Sequence, residues 1–276
     1  VVINEIAWMG TATSTDDEWI ELYNPTDKEI SLNGWVLRAS DGTPTIALTN
    51  TIPAKGFYLL ERTDDTTVAD SAASQPPYGN DGAAWALANT GEQLFLEHVS
   101  NDGATTTIDQ TPPACNNWCS KGSNITKQTM ERVNPFAAGG DINNWATALG
   151  EFILNGEDAN GAPLKGTPKA KNSVSYLVSA ASSRTLTENK TLTAAGSPYL
   201  IDRFGLTINS GVTLTLTQGA VVKFVLPNSP SLVVNGTIVS GGTAENPVVF
   251  TAFADDEYGG DMNGDATSTA PAPGMW

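Results

Sequence analysis

"DDEWIELYNPTDKEISLNGWVLR", residues 16–38, decides the fold class. A period of two puts Trp19, Glu21 and Tyr23 on one side of an extended segment and Ile20 and Leu22 on the other, so a sandwich buries one set. The turn residues Asn24 and Pro25 follow, and after Asn33 and Gly34 the next apolar run opens at Trp35. Helices need apolar residues at every third or fourth position, and almost no segment of the chain has them. Further alternating runs lie at 45–50 (TIALTN), 57–62 (FYLLER), 92–99 (EQLFLEHV) and 105–110 (TTTIDQ). Short strands at this spacing predict an antiparallel sandwich or barrel. Trp35, Phe57, Leu59 and Leu94 are expected in its core, with Trp8, Trp85, Trp118 and Trp145 as further candidates. The alternative for exposed tryptophans is a sugar-stacking platform.

The chain has 276 residues, enough for two domains, and a formal net charge of −16 from 14 basic and 30 acidic side chains. Such a surface repels phosphate backbones and anionic lipid headgroups and attracts polyvalent cations, so nucleic acid is a poor partner. No apolar run approaches the length of a membrane span. The opening "VVINEIAW" reads as a strand with no signal peptide ahead of it, and we take the chain as a mature or trimmed product. Cys115 and Cys119, in "PPACNNWCSKG", are read as a disulfide of an oxidising compartment in preference to free thiols. Zinc would need two more ligands, and the only histidine, His98, sits in a strand-like run.

The Gly-, Pro- and Lys-rich stretch 155–173 (NGEDANGAPLKGTPKAKNS) reads as a domain exit, with a linker at about 155–175. Beyond it, "GLTINSGVTLTLTQGAVVKFV" (205–225) and "PSLVVNGTIVSGGTAENPVVFTA" (230–252) alternate short apolar strands with Gly and Asn turns, at the size of one rung of a β-solenoid. Inward positions are expected at Leu206, Ile208, Val212, Leu214, Leu216, Val221, Val222, Phe224, Leu232, Val234, Ile238, Val248 and Phe250. A second small sandwich is the alternative, because period alone does not separate parallel from antiparallel pairing.

Together with residues 16–38, the segments "VVINEIAW", "IPAKGFYLLER", "LANTGEQLFLEHVSNDG", "TMERVNP", "NNWATA" and "GTPKAKNS" resemble a bacterial lamin-tail domain over residues 1–173. That resemblance implies an immunoglobulin-like β-sandwich that binds or positions and does not catalyse. The "PPACNNWCSKG" insertion departs from the family's pattern. Residues 199–276 are similar to the opening rungs of right-handed parallel β-helix proteins of bacterial surfaces. The expected fold is therefore all-β: a sandwich over 1–173 and a short right-handed parallel β-helix domain over 176–276, cut or processed after its first rungs.

The segment 255–265 (DDEYGGDMNGD) carries the candidate metal ligands Asp255, Asp256, Asp261, Asn263 and Asp265. Asp261, Asn263 and Asp265 have the D-x-N-x-D spacing of the first half of a calcium loop, and crowded carboxylates call for a cation; resemblance to the same loop in surface β-helices supports Ca2+. It is not an EF-hand, since Ala266 and Ala272 stand where the turn Gly and the closing Glu would be. The "GGDINNW" cluster around Asp141 and Asn143 reads as a turn. Catalytic signatures are absent: there is no G-x-S-x-G or H-E-x-x-H, a Ser-His-Asp arrangement would rest wholly on His98, and Lys223 is the only base on a predicted rung. The expectation is a non-catalytic, secreted or surface-displayed structural or adhesive protein that self-associates through exposed sheet edges into a fibre. The alternative is a targeting or carbohydrate-binding module of a larger secreted polysaccharide-acting enzyme.

Overall fold

The computed structural model describes residues 1–79, 85–150, 155–180, 183–225 and 230–263. The chain divides into two compact units, Val1–Ser175 and Tyr176–Trp276. The first contains strands β1 (Val2–Ala7), β2 (Trp19–Tyr23), β3 (Ile30–Ser31), β4 (Trp35–Ala39), β5 (Thr45–Ala47), β6 (Thr51–Ile52), β7 (Phe57–Glu61), β8 (Leu94–Val99), β9 (Thr105–Gln110), β10 (Met130–Arg132) and β11 (Trp145–Thr147). They form an antiparallel five-stranded sheet β11-β10-β1-β2-β7, a four-stranded sheet β5-β4-β8-β9 and the small ribbon β3-β6. This is an immunoglobulin-like sandwich.

Alternation along β2 has the consequence read from the sequence, with one addition. Ile20 and Leu22 are fully buried in one core cluster with Ile6, Leu60, Leu37, Ala39, Leu94 and Leu96. Trp19 and Glu21, on the other face, are buried as well. That second face is covered by the segment expected as a linker. Residues 155–175 are not loose: Asp158, Thr167, Asn172 and Ser173 are all buried, and Asn172 donates from Nδ2 to the carbonyls of Asn4 (2.9 Å) and Arg132 (2.8 Å). Small and polar residues look like a linker in sequence, but here they serve as hydrogen-bond partners to a sheet face that carries carboxylates. Of the expected core aromatics and leucines, Leu59 and Leu94 are fully buried and Trp35 is partly buried, while Phe57 is half-buried and packs on Tyr23 at 5.0 Å.

The second unit contains β12 (Thr185–Leu186), β13 (Lys190–Leu192), β14 (Tyr199–Ile201), β15 (Leu206–Ile208), β16 (Thr213–Leu216), β17 (Val221–Phe224), β18 (Leu232–Val234), β19 (Thr237–Ser240) and β20 (Val249–Ala252). Three short parallel sheets, β12-β15-β18, β13-β16-β19 and β14-β17-β20, stack these strands as successive turns of a β-helix-like coil. Side chains also tie adjacent turns: Asn189 Oδ1 accepts from the Thr213 N–H and Ser197 Oγ from the Val221 N–H, each across 24 residues. Gly236 is dictated by this stacking, because a Cβ there would lie 2.2 Å from the Val212 carbonyl oxygen.

Leu206, Ile208, Val212, Leu214, Leu216 and Val222 form the coil's core with Leu186, Leu192, Ile201 and Ala220. Phe224, Leu232, Ile238 and Val248 are only partly buried, and Val221 is buried outside this cluster. Two expected inward residues differ: Val234 is 45% and Phe250 42% exposed. Both lie on the last described turn, where a side chain stacks on a neighbour on one side only. Among the described residues, no helix is long and apolar enough to cross a membrane.

Candidate functional site

The acidic loop follows β20, the edge strand of the β14-β17-β20 sheet. Asp255 is fully buried, and its Oδ1 accepts from the Glu257 N–H at 3.0 Å while Oδ2 accepts from the Thr251 hydroxyl. Lys223 reaches the loop from the middle strand. Its ammonium donates to the carbonyls of Asp255 (2.8 Å) and Gly260 (2.7 Å) and is fully buried. Gly259 permits this approach, since a Cβ there would meet Pro198 at 2.8 Å and Lys223 Cε at 3.2 Å. Burial lowers the affinity of Lys223 for its proton, while Asp255, Asp256 and Asp261 act to raise it. The charge at the centre of the described loop is therefore an ammonium, donated by a residue 32 positions earlier.

The structure thus brings Asp255, Asp256 and Asp261 within electrostatic reach of Lys223. Asn263 lies two residues beyond Asp261, and Asp265 lies outside the described residues, as do Ala266 and Ala272. Among the described residues, no group of three or more His, Cys, Asp or Glu side chains is disposed to hold a metal ion. The other acid–amide cluster is a 3-10 turn, Ile142–Asn144, in which Asp141 Oδ1 accepts from the Asn143 N–H at 2.9 Å. His98 packs edge-on against Trp35, ring centroids 5.8 Å apart. Cys115 and Cys119 are disulfide-bonded with a Cα separation of 5.1 Å. Trp8, Trp19, Trp118 and Trp145 are buried, which removes them from any sugar platform; Trp85 is 37% exposed.

A group of carboxylates that no motif announced lies under the covering segment. Register pairs Glu5 with both Glu131 and Glu21 across β10-β1-β2, and all three are fully buried. Glu5 accepts from the Thr129 hydroxyl (2.6 Å), the Thr167 N–H (2.8 Å) and the Thr167 hydroxyl (2.9 Å). Glu131 accepts from the Ser173 hydroxyl (2.6 Å) and the Val174 N–H (2.9 Å), and Glu21 from Asn4 Nδ2 (2.9 Å) and the Lys169 N–H (2.5 Å). Thr167 Oγ1 also lies 3.1 Å from Glu131 Oε1. A hydroxyl has one hydrogen to share between these two carboxyls, and a proton on either glutamate would let the hydroxyl accept from it while donating to the other. Burial, then the charges of Glu131 and Glu21, hold Glu5 well above the usual carboxylate range; burial pushes Glu21 up to about 8 and raises Glu131.

On the last described turn, β18, β19 and β20 each pair on one side only among the described residues. Val233, Val234, Val239 and Phe250 are more than a third exposed there. At the opposite end, the Val178 N–H donates to the Leu200 carbonyl at 2.9 Å, and Val178, Leu192 and Leu200 are buried. Among the described residues both end turns carry edge strands, β12 and β13 at one end and β18, β19 and β20 at the other. The difference between them is that the apolar side chains Leu186 and Leu192 are buried on the first turn while Val233, Val234, Val239 and Phe250 are exposed on the last.

No curated protein and no solved structure matches this chain. The family comparison covers the part of the sandwich that ends one residue beyond β9; β10, β11 and the covering segment 155–175 lie beyond it. Residues 1–111 match the family model described as Lamin Tail Domain, a non-catalytic, immunoglobulin-like domain found in extracellular and structural proteins.

Proposed function

We propose that this chain is a non-catalytic structural or adhesive module of the bacterial cell exterior, which joins other copies through the open turn of its coil. The observation that carries this reading is the last described turn of the coil, where β18, β19 and β20 pair on one side only among the described residues and Val234 and Phe250 are more than a third exposed. Unpaired edges of parallel strands are templates for further strands, and apolar side chains beside them add a driving force. Sedimentation of the full chain over rising concentration tests it. Concentration-dependent assemblies that disappear in Val234→Lys and Phe250→Lys support the reading, and monomers throughout, with and without calcium, overturn it.

Calcium belongs to the same proposal as an ion that tightens the acidic loop. Lys223 supplies one positive charge to a segment that carries Asp255, Asp256, Glu257 and Asp261, so negative charge remains for a hard cation. A calcium-dependent rise in melting temperature, lost in Asp261→Ala, supports the ion. Unchanged melting on chelation retires it.

A further inference from the structure

The turn that follows Cys115 is held in a conformation its sequence disfavours. Asn117, Trp118, Cys119 and Ser120 have φ of 51°, 49°, 57° and 59°, four consecutive L-residues in the left-handed region. Side chains normally confine that region to single glycines and occasional Asn or Asp. Here only Asn117 is of that kind. Two constraints oppose the strain. One is the disulfide, which closes a ring of five residues. The other is Trp118, 2% exposed, stacked on Trp8 at 6.3 Å and donating from Nε1 to the Ala88 carbonyl at 2.9 Å. The penalty of four left-handed residues is of the size that burial of one indole offsets, so the covalent link decides which side prevails.

We propose that the Cys115–Cys119 disulfide is a thiol-reactive latch, opened in the folded protein by a dithiol reductant, and that its opening withdraws Trp118 from the core. Both cysteines are half-exposed, so a thiol reaches them without unfolding. A reductant thiolate attacks one sulfur, a mixed disulfide forms and the other cysteine leaves as a thiolate. The second reductant thiol then displaces the protein sulfur, so the dithiol gives up two electrons and the chain gains two thiols after protonation. With the ring open, residues 116–120 relax towards right-handed backbone, which does not carry the indole into its slot.

The surroundings couple this step to the neighbouring loop. The Asn117 N–H donates to the Thr90 carbonyl at 2.8 Å, and Gly91 lies so close that a Cβ would sit 2.1 Å from the Cys115 carbonyl oxygen. Withdrawal of Trp118 frees the Ala88 carbonyl and leaves Trp8 without its stacking partner.

The test treats the full chain with dithiothreitol in native buffer, alkylates the released thiols, and follows tryptophan emission and limited proteolysis. The expected result is reduction within about ten-fold of the rate in denaturant, with access and not unfolding limiting it. A red shift of emission should accompany it, together with new cleavage between Thr111 and Lys121 and far-UV dichroism that stays unchanged. Trp118→Phe should lose most of the red shift. If that variant does not fold, the mapped cleavage of reduced wild type carries the test alone. Reduction that occurs only on global unfolding overturns the proposal, as does reduction that leaves emission and cleavage unchanged.

Discussion

Raising the pH from about 5 to about 9 should destabilise the sandwich, the reverse of ordinary acid denaturation. Glu21 loses its proton at about 8 in the folded unit against 4.5 for an ordinary glutamate, because burial penalises the charge. The folded chain therefore keeps a proton over a range in which the unfolded chain has released it. The stability this contributes is fully present below about 4.5 and is lost as the pH rises through about 8. At about 1.4 kcal/mol per pKa unit, raised protonation of the neighbouring buried glutamates is worth on the order of a few kcal/mol, a sizeable part of the stability of a modest domain. Glu18 and Glu61, each pushed to about 8 by burial, and Glu92, pushed to about 7, act in the same direction. Part of this stress is relieved by local opening of the covering segment, whose donors hold the Glu5, Glu21 and Glu131 carboxyls.

The assay is urea unfolding of the full chain at the two pH values, followed by hydrogen exchange at the Thr167, Lys169 and Val174 amides. The midpoint should fall steeply at the higher pH, and these three amides should lose protection first. Glu131→Gln supplies the control. The amide keeps an acceptor for Ser173 and Val174 and presents N–H to Thr167, whose own hydrogen then serves Glu5. This variant should be the more stable protein at the higher pH, because burial raises Glu131 and the neutral amide has no charge to bury there. A wild-type midpoint that holds or rises between the two values would refute the reasoning.

Lys223→Met should leave the Asp255 and Gly260 carbonyls without their donor and cost the coil about 1–3 kcal/mol, read as earlier melting and faster proteolysis within 253–263. Gly236→Ala should be worse placed, because its methyl would overlap the Val212 and Asn209 carbonyl oxygens at 2.2 and 2.3 Å. The expected cost is about 1–3 kcal/mol or more, seen as lost melting cooperativity in the second unit while the sandwich transition is unaffected.

Patterns local in sequence determined a good deal. A period of two in 16–38 and in the later runs is enough to specify strands, because it mirrors the pleat. Recurring apolar strands between Gly and Asn turns specify the coil, because each turn repeats the same contacts. Cys115 and Cys119, four residues apart, and the crowding of acids at 255–265 were legible for the same reason. Tertiary structure alone decided what these groups face. Lys223 meets the acidic loop across 32 residues, and Glu5 meets Thr129 and Thr167 across 124 and 162, separations that leave no local trace. The left-handed turn that buries Trp118 is likewise a product of ring closure and core packing. Strand formation depends on neighbouring residues, whereas burial of a charge depends on which distant backbone covers it, and only the folded chain brings that backbone near.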